Sequence, residues 1–164
     1  MGDAEHYWEV TSTGAVTLVG LMFVVITFGA DRAKSGAKRL LETYLTPTLV
    51  HLIVVFFIGL LGLSPEGDRL ILPFGLIGVS GLVYTIRISV RAARNEGLFS
   101  DAWLFHGGIP VVCYVGVVTA AWLSLTSTGK AYSSLRAVSA LLLLASMRNA
   151  WAIAIDIAGR NPKS

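Results

Sequence analysis

The sequence predicts an all-α membrane protein, a polytopic transmembrane bundle with five spans. Hydrophobic residues make up 54% of its 164 residues and charged residues only 14%, and the mean hydropathy is +0.70. Soluble domains carry about 25% charged residues, so this composition belongs in a bilayer. The apolar residues form five runs, each close to the roughly 20 residues that cross the hydrocarbon core. The expected spans are residues 12–30, 47–63, 70–90, 109–125 and 138–158.

The first span is expected to stay attached to the chain instead of serving as a cleaved signal peptide. The residues before it include Asp3, Glu5 and Glu9 but no Lys or Arg. A signal peptide begins with a basic region and ends in a small-residue cleavage site, and neither is found here. Tyr7 and Trp8 precede the span, where amphipathic rings favour the headgroup level. We therefore expect residues 1–164 to form a single transmembrane domain.

Basic residues predict the orientation of the bundle. Most of them lie after the first span, around the end of the third span and at the C-terminus, which five crossings place on one side. Under the positive-inside rule the N-terminus is outside and the C-terminus is cytoplasmic. The net charge of +3 is then a topology signal, and nucleic-acid binding is not expected. The residues expected inside are Arg32, Lys34, Lys38, Arg39, Arg87, Arg91, Arg94, Arg160 and Lys163, against Arg69, Lys130 and Arg136 outside.

The second span begins with a recognisable helix start. Thr46 followed by Pro47 is typical of an N-cap with proline at the first helical position, where a missing N–H costs nothing. His51 then lies about one turn inside this helix. A histidine at that depth is a candidate for hydrogen bonding or ligand binding.

The third span carries glycines at three-residue spacing. Gly75, Gly78 and Gly81 are expected to permit close contact with a neighbouring helix. The spacing differs from that of a phosphate-binding loop, which also needs a preceding strand. Tyr84 and Arg87 follow at helical spacing and share a face. We expect the Arg87 side chain to reach the lipid phosphates.

The entry to the fourth span predicts a bend or break in the helix. A helical start near Asp101 runs into Gly107, Gly108 and Pro110. Non-helical backbone at membrane depth needs protein or water to satisfy it, so a break beside His106 indicates a wet cavity. The alternative is an interfacial helix that turns at the two glycines before it enters lipid.

The fifth span separates into two faces at 100° per residue. One face is a seam of small residues suited to close packing with another helix. The other face carries Arg148, Asn149 and Asp156. The Arg148 guanidinium does not lose its proton and lies deep in the apolar run, so we expect a partner or water around it. The small-residue seam consists of Ser146, Ala150, Ala154 and Ala158.

The polar residues of the spans fall in the half that is expected to face the cytoplasm. This depth predicts an inward-facing vestibule with Arg148 nearest the centre of the membrane. The alternative is that Arg148 and Asn149 only join helices, through interhelical hydrogen bonds worth about 1 kcal/mol. The candidate intramembrane polar cluster is His51, Tyr84, His106, Arg148, Asn149 and Asp156.

The end of the fifth span resembles a short element of known proteins. Arg148-Asn149-Ala150-Trp151 is similar to an Arg-Asn-Ala-Trp element of small bacterial integral membrane proteins that carry no assigned activity. A looser similarity covers Thr46-Pro47-Thr48 to His51. The resemblance implies a location in the bacterial inner membrane. The typical pattern of that family places Asp after the Trp where this chain has Ala152, so the role of that acid is either missing here or has passed to Asp156.

Three classes of function remain open from the sequence. The first is an oligomeric channel or transporter for a small ion or solute, lined by the polar cluster. The second is a non-enzymatic accessory or assembly subunit of a larger membrane complex. The third is a b-type haem or redox module, since His51 and His106 lie at similar depth. No metal site and no catalytic residue are predicted, because Cys113 is the only cysteine and no His-Glu-x-x-His occurs.

Overall fold

The computed structural model describes residues 2–30, 46–64, 71–96 and 104–159, and within these ranges the chain is helical apart from short turns. The all-α prediction is confirmed for this part of the chain. A π-helical segment, Leu104–Gly108, leads directly into the fourth helix. The α-helices are α1 Asp3–Ala30, α2 Thr46–Gly62, α3 Ile71–Glu96, α4 Ile109–Leu123 and α5 Thr128–Gly159.

Three of the helices are long and apolar enough to cross a membrane. Their apolar stretches are Glu5–Thr27, Leu72–Arg91 and Thr128–Ile155. The helices α2 and α4 are shorter, with 17 and 15 residues. The π-helical segment adds five residues to the helical rod that contains α4. By length and composition, these helices indicate a helical membrane protein.

Two helices begin well before the apolar runs from which they were predicted. The helix α1 starts at Asp3 instead of residue 12, and α5 starts at Thr128 instead of residue 138. Hydropathy locates only the part of a helix that favours lipid, whereas the backbone hydrogen bonds continue beyond it. Arg136, expected in a loop, therefore lies within α5.

Tyr7 and Trp8, which are expected near the headgroup level, are packing residues of the bundle. The Trp8 side chain is 1% exposed and lies against Gly62 of α2 and the Tyr132 ring of α5. The Tyr7 hydroxyl donates to the Arg136 carbonyl at 2.7 Å. The early start of both helices creates these contacts, which lie beyond the predicted ends of the spans.

The helix pairs α1–α2 and α3–α4 run antiparallel and approach closely at glycines. At each of the six glycines named at the end of this paragraph, an added side chain would overlap with the facing helix. Gly78 and Gly81 face α4, as their spacing predicts, whereas Gly75 faces open space. The paired positions are Gly59 with Ser12, Gly62 with Trp8, Gly78 with Val118, Gly81 with Tyr114, Gly107 with Ser89 and Gly116 with Val138.

The pairings define two ends of the bundle. We name the end that holds the N-terminus of α1, with Asp3, Glu5 and Glu9, the acidic end. The opposite end, where Arg87 and Arg91 lie on the last turns of α3, is the basic end. The core of the acidic-end half is mainly apolar, although Thr11, Ser12 and Ser139 are also buried there. It includes Trp8, Val55, Ile58, Val117, Ala120, Leu135 and Leu142.

We predict that Gly81→Val destabilises the bundle by about 1–3 kcal/mol, because the added side chain overlaps with the Tyr114 ring. Gly75→Val is the matched control on the same helix, since nothing lies within 4 Å of that position. Thermal unfolding in detergent measures both. Equal stability of the two variants would contradict the α3–α4 contact.

Candidate functional site

Thr11, Ser12 and Ser139 are buried in the acidic-end half, and a second set of buried polar side chains lies in the basic-end half of the bundle. Each is at most 9% exposed, although the surrounding helices are largely apolar. The side chains of this second set come from α2, α3, α4 and α5, so every helix except α1 contributes. We name this group the polar layer. It consists of His51, Thr85, Ser89, Tyr114, Ser146 and Asn149.

A hydrogen bond between α2 and α4 forms the deep end of the polar layer. His51 Nδ1 and the Tyr114 hydroxyl are 3.0 Å apart, and their ring centroids are 5.6 Å apart. Tyr114 is fully buried, and its ring lies against Gly81 of α3. The absence of a side chain at Gly81 therefore lets Tyr114 reach His51. Three helices meet at this point.

The π-helical segment forms the end of the polar layer that is nearest the basic end. Gly107 packs so closely on α3 that a Cβ there would lie 3.1 Å from the Ser89 Cα atom. The Asn149 amide Nδ2 donates to the Phe105 carbonyl oxygen at 3.5 Å. A carbonyl only accepts, so this contact turns the Asn149 Oδ1 atom away from Phe105. The segment thus links α3 to α5.

Four oxygen atoms of the polar layer are buried and have no hydrogen-bond partner in the described part of the chain. A buried polar group without a partner costs about 1–3 kcal/mol, and such groups are commonly satisfied by ordered water. Three of the four are hydroxyls, which donate and accept, and the fourth is an amide oxygen. The four atoms are Thr85 Oγ1, Ser89 Oγ, Ser146 Oγ and Asn149 Oδ1.

Arg148 does not enter the polar layer. Its side chain is exposed, and its guanidinium lies over the Phe105 ring, 3.6 Å from the ring centroid. The expectation of a protein-lined recess around Arg148 is therefore wrong. Phe105 lies two residues before Gly107, which packs on Ser89 between Arg87 and Arg91, so Arg148 lies on the side of the basic end. Cation–π contact replaces the expected counterion.

The other predicted residues are distributed over several environments. Tyr84 is half-buried beside the polar layer. Of the small-residue seam, Ser146 belongs to the polar layer and Ala150 packs against Met22 and Ile153. Ala154 is half-buried. This part of the seam therefore packs within the chain. The side chains of His106, Asp156 and Ala158 lie outside the described residues.

The helix break expected at Gly107, Gly108 and Pro110 takes the form of a widened helical turn. Gly107 and Gly108 belong to the π-helix, and Pro110 lies in the first turn of α4. Gly108 has φ −59° and ψ −56°, which are helical values. The backbone thus stays helical through the described residues 104–123. π-helical turns are frequent at functional sites.

Sequence reasoning missed Tyr114, Thr85 and Ser89. A tyrosine within the apolar run of α4 is a detectable signal, but its contact with His51 depends on the register of two helices. Thr85 and Ser89 are four residues apart and so share a helix face. In an apolar helix, that spacing is the signal that could have found them.

Comparison of the chain with protein-family models, curated proteins and solved structures finds no match. The described residues contain no group of three His, Cys, Asp or Glu side chains arranged to hold a metal ion. The candidate site therefore rests on its own geometry.

We predict that Tyr114→Phe lowers the free energy of unfolding by about 1 kcal/mol, because it removes the hydrogen bond to His51. Tyr132→Phe is the control, since the Tyr132 side chain is only half-buried and lies in the acidic-end half. Unfolding of the purified protein in mixed micelles compares the two. An equal loss in both variants would contradict a specific role for the His51–Tyr114 contact.

Proposed function

We propose that the protein is a multi-pass bacterial inner-membrane protein whose polar layer is a hydrated vestibule that binds and passes a small neutral solute. The observation that carries the proposal is the set of four buried oxygens without a protein partner. They lie in one half of the bundle. In the other half apolar side chains close the core, the buried Ser12 and Ser139 hydroxyls donate to carbonyls of their own helices, and Arg136 Nε is the one buried polar atom without a partner among the described residues. This asymmetry favours a vestibule open at one end.

The chemistry of the polar layer favours neutral solutes that donate hydrogen bonds. None of its members is an acid, a lysine or an arginine. Its amide oxygen only accepts, whereas the hydroxyls adapt to either role. Water, ammonia, urea and short polyols have the required groups. An anion is disfavoured, because the Asn149 oxygen cannot donate a hydrogen bond to it and the Arg148 cation lies outside the polar layer.

The basic residues favour an orientation in which the vestibule opens to the cytoplasm. Arg87, Arg91 and Arg94 are exposed on the last turns of α3, at the basic end. Under the positive-inside rule this end is cytoplasmic, so the acidic end with the N-terminus of α1 lies outside. Arg136 lies within α5 and does not weigh against this assignment.

Passage through the bundle requires movement of its apolar half. Val117 and Leu135 are at most 1% exposed and close the core beyond the His51–Tyr114 contact. The conformation is therefore that of a closed channel or of a transporter open to one side. An oligomer of this chain would still use the vestibule of each protomer.

An accessory or assembly subunit is the second candidate. The Asn149–Phe105 and His51–Tyr114 contacts join helices of the same chain, as polar groups with a purely architectural role would. Purification of a second polypeptide at fixed stoichiometry, with no solute flux from the chain alone, would favour this candidate. The haem hypothesis stays a prediction, and a Soret band in the purified protein would support it.

We predict that thiols in the polar layer react with water-soluble reagents. In a Cys113→Ala background, Ser89→Cys and Ser146→Cys should be labelled by a membrane-impermeant maleimide applied from the side of the basic end. Ala120→Cys, which is 1% exposed in the apolar half, is the control and should stay unlabelled until unfolding. Labelling at position 120 alone, or at all three positions equally, would contradict the vestibule.

We predict that Asn149→Leu lowers the flux of the transported solute about tenfold, since it replaces the fixed acceptor with an apolar group. Stopped-flow shrinkage of proteoliposomes against water, urea and glycerol gradients measures the flux. Met147→Leu, on the exposed face of α5, is the control. Unchanged flux in Asn149→Leu, or no flux above empty liposomes in the unmodified protein, would refute the proposed function.

A further inference from the structure

A groove lies between α1 and α2 in the acidic-end half, away from the polar layer. Its volume is about 540 Å³, within the range of small-molecule sites. One wall carries polar side chains of α1, namely Glu9, Ser12 and Thr13, and the other carries apolar side chains of α2, including Phe56 and Leu60. The groove is open along its length to the surroundings of the bundle.

Among the described residues that line this groove, Glu9 is the only charged one. Its side chain is half-buried, and it forms no ion pair with a described residue. The neighbouring Ser12 hydroxyl donates instead to the Trp8 carbonyl of its own helix, at 2.7 Å. Glu9 lies one turn inside the apolar stretch Glu5–Thr27. An ionisable side chain within a membrane span is a candidate functional residue, because its charge requires a partner of opposite charge or a hydrogen-bond donor.

We infer that the groove binds a phospholipid whose headgroup carries a primary ammonium. The ammonium pairs with the Glu9 carboxylate, and an acyl chain follows the apolar wall past Phe56 and Leu60. The groove runs from Glu9 to Thr17, about 12 Å along the helix axis, from the end of the bundle toward its middle. This direction matches a lipid with its headgroup at the acidic end.

The charge of the groove selects this lipid over others. An anionic headgroup would be repelled by the Glu9 carboxylate in the groove wall. A bound metal ion would require further acidic or histidine ligands, and the groove lining offers none beyond Glu9. A primary ammonium supplies both the opposite charge and three hydrogen-bond donors. The lipid site does not depend on transport by the polar layer.

The test is lipid binding to the detergent-solubilised full chain, followed by native mass spectrometry. The probes are dioleoyl phosphatidylethanolamine, dioleoyl phosphatidylglycerol with the same acyl chains, and free ethanolamine. We expect the unmodified protein to bind the ethanolamine lipid about tenfold more tightly than the glycerol lipid. Free ethanolamine should not compete at equal concentration, because it lacks the acyl chain.

Two variants separate the headgroup from the acyl chain. Glu9→Gln should lose the preference for the ethanolamine lipid and still bind both lipids, whereas Leu60→Trp should lose both by filling the groove. Glu5→Gln, which does not line the groove, is the matched control and should keep the preference. An unchanged preference in Glu9→Gln would overturn the inference, and so would competition by free ethanolamine. Dimers of the unmodified protein that Leu60→Trp abolishes would also overturn it, because the groove would then be covered by a second copy of the chain.

Discussion

Buried polar atoms in an apolar bundle impose the constraint on which the structure depends. Hydrocarbon offers no hydrogen bonds, so each such atom must find a partner in the protein or in water. His51 and Tyr114 partner each other across two helices, at 3.0 Å. The Asn149 amide nitrogen donates to the Phe105 carbonyl of the π-helical segment, whereas its amide oxygen has no partner among the described residues. The remaining oxygens of the polar layer have no partner among the described residues, and they are the basis for the proposed boundary between a dry and a hydrated half.

Glycines and aromatic rings make this arrangement possible. Gly81 and Gly107 bring α3 close enough for Tyr114 and Ser89 to enter the core. Aromatic rings contact the two arginines of α5, which are twelve residues apart in the interior of the helix. Arg136 lies over Tyr7, 5.7 Å from the ring centroid, and Arg148 lies over Phe105. The two arginines are separated by about 18 Å of helix rise, and the reach of their side chains extends this toward the roughly 30 Å of a hydrocarbon core.

The sequence was sufficient to predict the all-α class, because the hydropathy and the length of each apolar run can be determined from the sequence alone. It also identified His51 and Asn149 as polar groups within apolar helices, and both are buried. It could not predict that Arg148 faces outward while its neighbour Asn149 faces inward. That difference depends on the rotation of α5 about its axis, which contacts with the π-helical segment and α1 determine. The partner of His51 could not be found either, because the register of α4 against α2 is a tertiary property.

An experimental structure of the protein in a lipid bilayer, at a resolution that reveals ordered water, tests the central claim most directly. The account predicts density for water or a small solute within hydrogen-bond distance of the Ser89, Ser146 and Asn149 oxygens, continuous with the basic end. Close packing of apolar atoms around these oxygens, with the hydroxyls turned onto carbonyls of their own helices and no solvent density, would contradict it.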